Sequence, residues 1–258
     1  RGDAVPDIKF DIGRNIVETA SQSGAPRYTT GNVAGVVSYE LVNLPPDLAA
    51  FYQRQGYEIT ARPLFALTLY ANEESNDGLA VQTAALQFSK DAAKSHEAAQ
   101  TFVADLIAQF RKGKWKRHID ELCPAVTDRS AFLNTAGKPE RTGFCPLDPQ
   151  YKLTSEDWIV LMGKTQNYQW TGDGVLATLT IGYSDDIRGI TYSIDLEFED
   201  LETVNRREKR NLLRELAEGD AQGWNSTVIH SEEILERKAL LKVLEENAQR
   251  RGDRIISR

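Results

Sequence analysis

The feature that most constrains the fold of this chain is an internal repeat: a stretch beginning at Tyr39 recurs in altered form from Tyr151. Each copy contains a short helical segment, three β-rich segments and a long helical pattern in the same order, followed by Trp115 or Trp224. This order predicts an α+β fold built from two diverged copies of an α-β-β-β-α unit. We expect an antiparallel sheet, packed helices and one extra C-terminal helix.

The repeat divides the 258-residue chain into five segments. They are an extended N-terminal arm with little core of its own (1–32), a first α+β repeat (33–122), a connecting loop bracketed by cysteines (123–149), a second α+β repeat (150–226), and a C-terminal helix with its tail (227–258). Because a chain of this length buries a sizeable core, we expect the two repeats to share one.

The short helix of each copy is predicted from its first turn. Pro45 and Pro46 precede an apolar run, and proline suits the first turn of a helix, which predicts a helix through Phe51. In the second copy, Thr154 and the acidic residues after it resemble a capping box, which predicts a helix through Met162. A buried strand is the alternative for that second run.

The long helices are predicted from apolar spacing and from their ends. Apolar residues at helical intervals indicate one helix over 91–112, which Gly113 ends, and another over 203–218, which Gly219 ends. Ser231 is predicted to cap the C-terminal helix. Strands are predicted between these helices from β-branched and alternating residues. They span residues 33–42, 57–60, 64–70, 79–88, 168–171, 175–183 and 190–198.

Two cysteines indicate a disulfide. Cys123 and Cys145 are each followed by proline and bracket a polar segment. A bond between them would close a loop of about 20 residues and would persist only in an oxidising compartment, which predicts a periplasmic or secreted protein. Two separate buried thiols in a cytoplasmic protein are the alternative. Zinc is disfavoured because neither a second close cysteine pair nor a spaced histidine pair accompanies them.

The apolar runs are short, so we expect no transmembrane segment in this chain, because a membrane-spanning helix needs about 20 apolar residues. The first residue is Arg1 rather than methionine, which leaves an upstream signal or membrane anchor open.

The charge balance argues against a nucleic-acid partner. The net charge is -7, whereas binding a polyanion requires a broad cationic surface. One basic cluster is a candidate patch for an anionic partner. It comprises Arg111, Lys112, Lys114, Trp115, Lys116 and Arg117. Its alternative interpretation is a set of cations at a helix C-terminus, where the helix dipole favours them.

A group of carboxylates is the remaining candidate for a catalytic site in this sequence. We find no phosphate-binding glycine loop, no metal-binding histidine spacing and no nucleophile elbow, so we predict no cofactor, no metal and no identified catalytic residue. Asp195, Glu197 and Glu199 alternate along a predicted strand and therefore project from the same face. They form either an acidic interaction surface or an acid–base site, and the alternative is the solvated face of an amphipathic strand.

These observations favour an exported, non-catalytic protein-binding protein of the immunity, inhibitor, effector-adaptor or secretion-accessory type. An acidic face speeds encounter with a basic partner and needs no catalytic group. Two alternatives remain open. One is an enzyme that uses Glu197 or Glu199 in the groove between the repeats. The other is a periplasmic ligand-sensing domain of a membrane-anchored protein.

Overall fold

A computed structural model describes residues 7–23, 27–75, 77–140 and 145–257. Over these residues the chain forms an α+β fold, as the sequence predicts. The strands are β1 (Ile8–Phe10), β2 (Thr29–Val33), β3 (Val36–Val42), β4 (Ala50–Tyr52), β5 (Ile59–Ala61), β6 (Leu64–Asn72), β7 (Thr83–Phe88), β8 (Lys116–Arg117), β9 (Gln166–Gly172), β10 (Val175–Asp186) and β11 (Gly189–Asp200). The helices are α1 (Ile16–Gln22), α2 (His96–Lys112), α3 (Ser155–Met162), α4 (Leu201–Ala221) and α5 (Ser226–Arg251).

Eight strands form one antiparallel sheet in the order β2-β3-β6-β7-β11-β10-β9-β8. The strands of the two halves meet at its centre, where β7 pairs with β11 and Ala85 lies opposite Glu197. A separate small sheet has the order β1-β4-β5, with β1 parallel to β4. Both halves of the chain therefore belong to one continuous sheet.

One face of the large sheet is the core face. Alternate residues along its strands are buried there because the strand period of two sends every second side chain to the same side. α2 covers part of this face, with the ring of Phe110 stacked 3.9 Å from that of Trp170. The small sheet covers another part, with Tyr52 stacked 4.4 Å from Phe198. A single hydrophobic cluster joins these elements, so the two halves share one core.

The opposite face, which we call the open face, carries half-exposed or exposed polar side chains along the central strands. α4 approaches this face at one end of β11. Val204 of α4 is buried, and Arg207 reaches the carboxylate of Glu199. The open face is therefore covered by α4 at one end.

α4 and α5 form a helical hairpin. The turn of the hairpin is close, because a Cβ atom on Gly219 would lie 2.2 Å from Ser226 Oγ. At its base, α5 is anchored by buried Leu241, Leu244 and Ala248, the last packed with Val126 and Ala131. Most side chains of the hairpin between this base and the turn are exposed.

Several predicted helix ends are confirmed. Thr154 caps α3, since its hydroxyl oxygen accepts a hydrogen bond from the Asp157 amide at 3.1 Å. α2 ends at Lys112 and is followed by Gly113, as predicted, although it begins at His96 after a separate 3-10 turn over Lys90–Ala92.

Other predicted ends are wrong. α4 continues past Gly219 to Ala221, so this glycine does not end the helix. Its lack of a side chain instead leaves room for Ser226. α5 begins five residues before the predicted cap, at Ser226, and the Ser231 hydroxyl donates to the Thr227 carbonyl within the helix.

The predicted helix through Phe51 is also wrong, because Ala50–Tyr52 forms β4. The run is too short to stabilise a helix by itself. As a strand it pairs with β1 and β5 and buries both Ala50 and Tyr52 in the core. The first half therefore lacks the short helix that α3 supplies in the second.

The N-terminal segment differs from the predicted arm. Ile8, Phe10 and Ile16 are each at most 2% exposed and belong to the shared core. Parallel pairing of β1 with β4 draws this segment inward. The predicted strand over 33–42 is in turn a hairpin of β2 and β3, whose two-residue turn at Ala34 and Gly35 has positive φ at both positions.

Candidate functional site

The carboxylates of Asp195, Glu197 and Glu199 lie in a row along β11, the fifth of the eight strands of the sheet. They project from the open face, while Leu196 and Phe198 between them point into the core. The alternation predicted from the sequence therefore holds. It places Asp195 and Glu197 on the uncovered part of this face and Glu199 at the end that α4 covers.

Short side chains flank the row. Glu197 lies between Ala85 of β7 and Thr178 of β10, and Asp195 lies between Gln87 and Thr180. Alanine and threonine are too short to cover a neighbouring carboxylate. A ligand can therefore approach the central part of the row from solvent.

Glu199 is the most enclosed member of the row, at 6% exposed. Its Oε1 lies 2.7 Å from Arg207 Nη1 of α4, and it also forms a hydrogen bond with the Glu197 side chain. Burial raises the pKa of Glu197 to about 7, and the neighbouring negative charge of Glu199 adds to this effect, while Arg207 opposes it. Glu197 therefore takes up a proton near neutral pH.

Burial also raises the pKa of Asp195, although the Ser193 hydroxyl, 3.0 Å from Asp195 Oδ2, opposes the shift. The row therefore contains one carboxylate with a cationic partner and two whose charged forms are poorly solvated. Such groups gain stabilisation when an external cation approaches, and a carboxyl group with a pKa near 7 can also transfer a proton.

Glu197→Gln is expected to stabilise the protein at pH 8 by about 1–2 kcal/mol, with a smaller gain at pH 5. The folded state holds the Glu197 proton more tightly than the unfolded state does. Its contribution is full below the ordinary glutamate pKa of about 4.5 and is lost as the pH rises through about 7. Glutamine mimics the protonated form at every pH. Urea unfolding at both pH values measures the difference.

The matched control for this variant is Glu202→Gln, which removes an exposed carboxylate at the start of α4. It should show no comparable gain at high pH. If Glu197→Gln gave the same stability change at pH 5 and pH 8, the raised pKa of Glu197 would be wrong.

A cleft of about 850 Å³ lies beside the row, between α4 and the loop that joins β6 to β7. Arg206, Arg207 and Arg210 contribute to one wall, and Asn72 and Gln82 come from the first half of the chain. This cleft therefore lies between residues of the two halves of the chain. Glu197 does not line it, and Arg207 is the link between the cleft and the carboxylate row.

The predicted basic patch does not form one surface. Trp115 is 8% exposed, and its Nε1 donates to the Tyr57 carbonyl at 3.1 Å. Arg117 donates to the Val126 carbonyl and lies 3.5 Å from the Asp148 carboxylate, while Arg111 donates to the Pro149 carbonyl. The three lysines of the patch remain exposed. They are Lys112, Lys114 and Lys116.

Cys123 and Cys145 form a disulfide, as predicted. α5 is attached beside this bond, since Arg237 donates to the Leu122 carbonyl at 2.8 Å and lies 3.3 Å from Cys145 Sγ. The bond therefore supports the base of the helical hairpin as well as the loop that it closes.

The sequence analysis did not identify Arg207 as a partner of Glu199. The available signal was the position of Arg207 on the helix that directly follows the acidic strand, about two turns in. The ion pair of the exposed Arg129 side chain with the buried Asp157 carboxylate was not predicted either; its two nitrogen–oxygen contacts measure 2.9 Å.

Over the described ranges, no group of three or more histidine, cysteine or acidic residues is arranged to hold a metal ion, and this includes the carboxylate row. None of the helices in the same ranges combines the length and the apolar character needed to cross a bilayer. The chain matches no known family model, no curated protein and no solved structure.

Proposed function

We propose that this chain is an exported, non-catalytic protein-binding protein whose open sheet face receives a basic partner. The observation that carries the proposal is the placement of Asp195 and Glu197 on the uncovered part of this face, in a row where Arg207 forms its ion pair with Glu199. A lysine or arginine of a partner would supply the missing positive charge. The Cys123–Cys145 bond supports export, because such bonds persist in oxidising compartments.

Immunity proteins, inhibitors and effector adaptors are the kinds of protein that act by such binding. A flat polar sheet face flanked by threonine and glutamine also suits hydrogen bonding to a protein surface. Binding of a cation at Glu197 would displace the proton that this group holds near neutral pH. Affinity should therefore increase from pH 6 to pH 8.

Affinity capture from the envelope and secreted fractions of the native host tests this function. The wild type should retain a stoichiometric basic partner, and Asp195→Asn combined with Glu197→Gln should weaken its binding at least about tenfold at pH 8. Glu199 is left unchanged in this variant because its ion pair with Arg207 holds α4 on the sheet.

The matched control is Glu232→Gln combined with Glu233→Gln, which removes the same charge from the exposed part of α5. It should bind the partner as the wild type does. Failure to capture any partner, or equal retention by the carboxylate variant and the control, would count against the acidic face as the binding surface.

A carboxylate enzyme is the second candidate, and the raised pKa of Glu197 is what favours it. A group with a pKa near 7 is suited to act as both acid and base at neutral pH. The adjacent cleft, which is lined by three arginines of α4 and by four carboxylates, offers space for a polar substrate. An activity screen in which Glu197→Gln and Glu199→Gln leave every detected turnover intact would remove this candidate.

We propose in addition that the two halves descend from one duplicated unit. Hairpins β6–β7 and β10–β11 occupy equivalent places on either side of the centre of the sheet, and each precedes a long helix. The halves differ in two respects. The first half has the strand β4 where the second half has the helix α3. The long helix α2 covers the core face of the sheet, whereas the long helix α4 approaches the open face. Less diverged homologues should have halves that resemble each other more closely; halves no more alike than unrelated sequences would oppose duplication.

A further inference from the structure

The cleft between α4 and the loop that joins β6 to β7 carries charges of both signs. Its volume of about 850 Å³ falls within the roughly 300–1,000 Å³ that is typical of small-molecule sites. Besides the three arginines of α4, four carboxylates line it, and these belong to Glu74, Asp77, Asp200 and Glu202. A ligand can use only the charged groups that have no partner within the protein, so the partners of each group decide what the cleft can bind.

Three of the four carboxylates have partners. Asp200 caps α4, where its Oδ2 accepts a hydrogen bond from the Thr203 amide at 2.8 Å. Both oxygens of Asp77 accept hydrogen bonds from groups of its own loop. Glu202 lies 3.9 Å from the Arg206 guanidinium, one turn further along α4. These three carboxylates are therefore occupied by neighbouring groups.

One cation and one anion of the cleft are left. Arg207 is paired with Glu199, and Arg206 with the carboxylate at the start of α4. Among the residues that the structure describes, the side chains of Arg210 and Glu74 form neither an ion pair nor a hydrogen bond, and both are exposed. The cleft therefore offers a ligand one positive and one negative group.

These two groups approach the cleft from different elements. Arg210 follows Arg206 by four residues and so lies on the same side of α4, while Glu74 belongs to the β6–β7 loop. A molecule held between α4 and the loop meets an available guanidinium on one side and an available carboxylate on the other. A guanidinium binds a carboxylate through two parallel hydrogen bonds, and a carboxylate accepts hydrogen bonds from an ammonium group.

A ligand with charges of a single sign fits this arrangement less well. A dicarboxylate that contacts Arg210 brings its second negative charge toward Glu74, and a diamine that contacts Glu74 brings its second positive charge toward Arg210. Repulsion of this kind is a general source of specificity. A molecule with one carboxylate and one ammonium group avoids the repulsion at both ends.

We propose that this cleft is a binding site for a small amino carboxylate, whose carboxylate contacts Arg210 and whose ammonium group contacts Glu74. The site is separate from Asp195 and Glu197, so it does not depend on the proposed partner of the open face. It involves binding alone and no catalytic step.

Chemical-shift titration of the purified full chain with amino carboxylates of increasing length tests the proposal. The probes are glycine, β-alanine, γ-aminobutyrate, δ-aminovalerate and ε-aminocaproate, in which the ammonium group moves stepwise away from the carboxylate. At least one should bind with a Kd of about 1 mM or lower, and the shifts should map to α4 and the β6–β7 loop. The diamine and the dicarboxylate of matched length should each bind at least about tenfold more weakly.

Arg210→Gln and Glu74→Gln should each weaken binding of the best probe at least about tenfold, because each removes one of the two available charges. The matched control is Lys209→Gln, which removes a neighbouring cation of α4 that does not line the cleft. It should bind the probe within about twofold of the wild type. Neither Arg210→Gln nor Glu74→Gln should alter capture of a basic partner by the open face, so the two proposals can fail separately.

The decisive variant is Glu74→Lys, which leaves a cation on both sides of the cleft. Its preference should change from the amino carboxylate to the dicarboxylate of the same length, and circular dichroism should show that every variant keeps its helical content. Three results would each overturn the proposal. They are binding of no probe at millimolar concentration, equal affinity for the amino carboxylate and the two singly signed ligands, and a Glu74→Lys variant that still prefers the amino carboxylate.

Discussion

Trp115→Ala is expected to lower the free energy of unfolding by about 3–5 kcal/mol, the range for truncating a large buried aromatic residue. The Trp115 ring lies 5.2 Å from Tyr57, 5.3 Å from Phe110 and 6.0 Å from Phe198, measured between ring centroids. It therefore joins the end of α2, the small sheet and β11. Its removal would leave a cavity where these elements meet, and the Tyr57 carbonyl would lose its hydrogen bond from the indole.

Urea denaturation measures this loss, and Lys116→Ala is the matched control. Lys116 is the next residue and belonged to the same predicted basic patch, but its side chain is exposed on β8. Its removal should change stability by no more than about 0.5 kcal/mol. A Trp115→Ala variant with nearly unchanged stability would show that the ring does not stabilise the core. The ring would then again be a candidate member of the basic patch.

Periodicity predicted the second half of the chain well, because its elements are local and long. β10 and β11 each follow an uninterrupted pattern, whereas α3 was predicted from its capping residue, with a buried strand as the alternative. The carboxylate row could be predicted for the same reason, since alternation along one strand fixes which side chains share a face. Neither prediction required knowledge of which strands are neighbours.

The first half was predicted less well because its structure depends on distant partners. Ala50–Tyr52 becomes a strand only through pairing with Ile8–Phe10, which lies some 40 residues earlier in the chain. Nothing in the local pattern of either segment indicates this parallel pair. The same dependence explains why the N-terminal segment resembled an arm in sequence although Ile8 and Phe10 belong to the core.

The roles of residues in the basic cluster and of Arg207 also depend on distant parts of the chain. Trp115 and Arg117 look like members of an exposed basic run, but their neighbours in space are an aromatic cluster and Asp148. The ion pair of Arg207 with Glu199 joins a helix to the preceding strand, and its existence depends on the direction that α4 takes after Asp200. Side-chain identity alone could not distinguish a binding cation from a structural one.

Replacing both cysteines, by Cys123→Ala with Cys145→Ala, is expected to cost about 3 kcal/mol of unfolding free energy. The bond joins residues that are 22 apart in sequence, and the loop-closure entropy that it removes from the unfolded chain accounts for a loss of this size. Both positions are buried, and alanine removes the Cys145 sulfur that Arg237 contacts, while Arg237 keeps its hydrogen bond to the Leu122 carbonyl. Urea denaturation with and without a thiol reductant measures the effect.

The reductant provides the control for this last variant, because the two treatments should remove the same bond. Reduction should destabilise the wild type by about the same 3 kcal/mol and leave the double variant unchanged. A wild type whose stability is insensitive to reductant, with two thiols that react fully in the native protein, would contradict the bond. It would also remove the main support for export, because free thiols are what a reducing cytoplasm maintains. If loss of the bond also weakened the attachment of α5, the position of the helical hairpin would depend on whether the cysteines are oxidised. The reason is that Arg237 contacts both Cys145 and the adjoining Leu122 carbonyl.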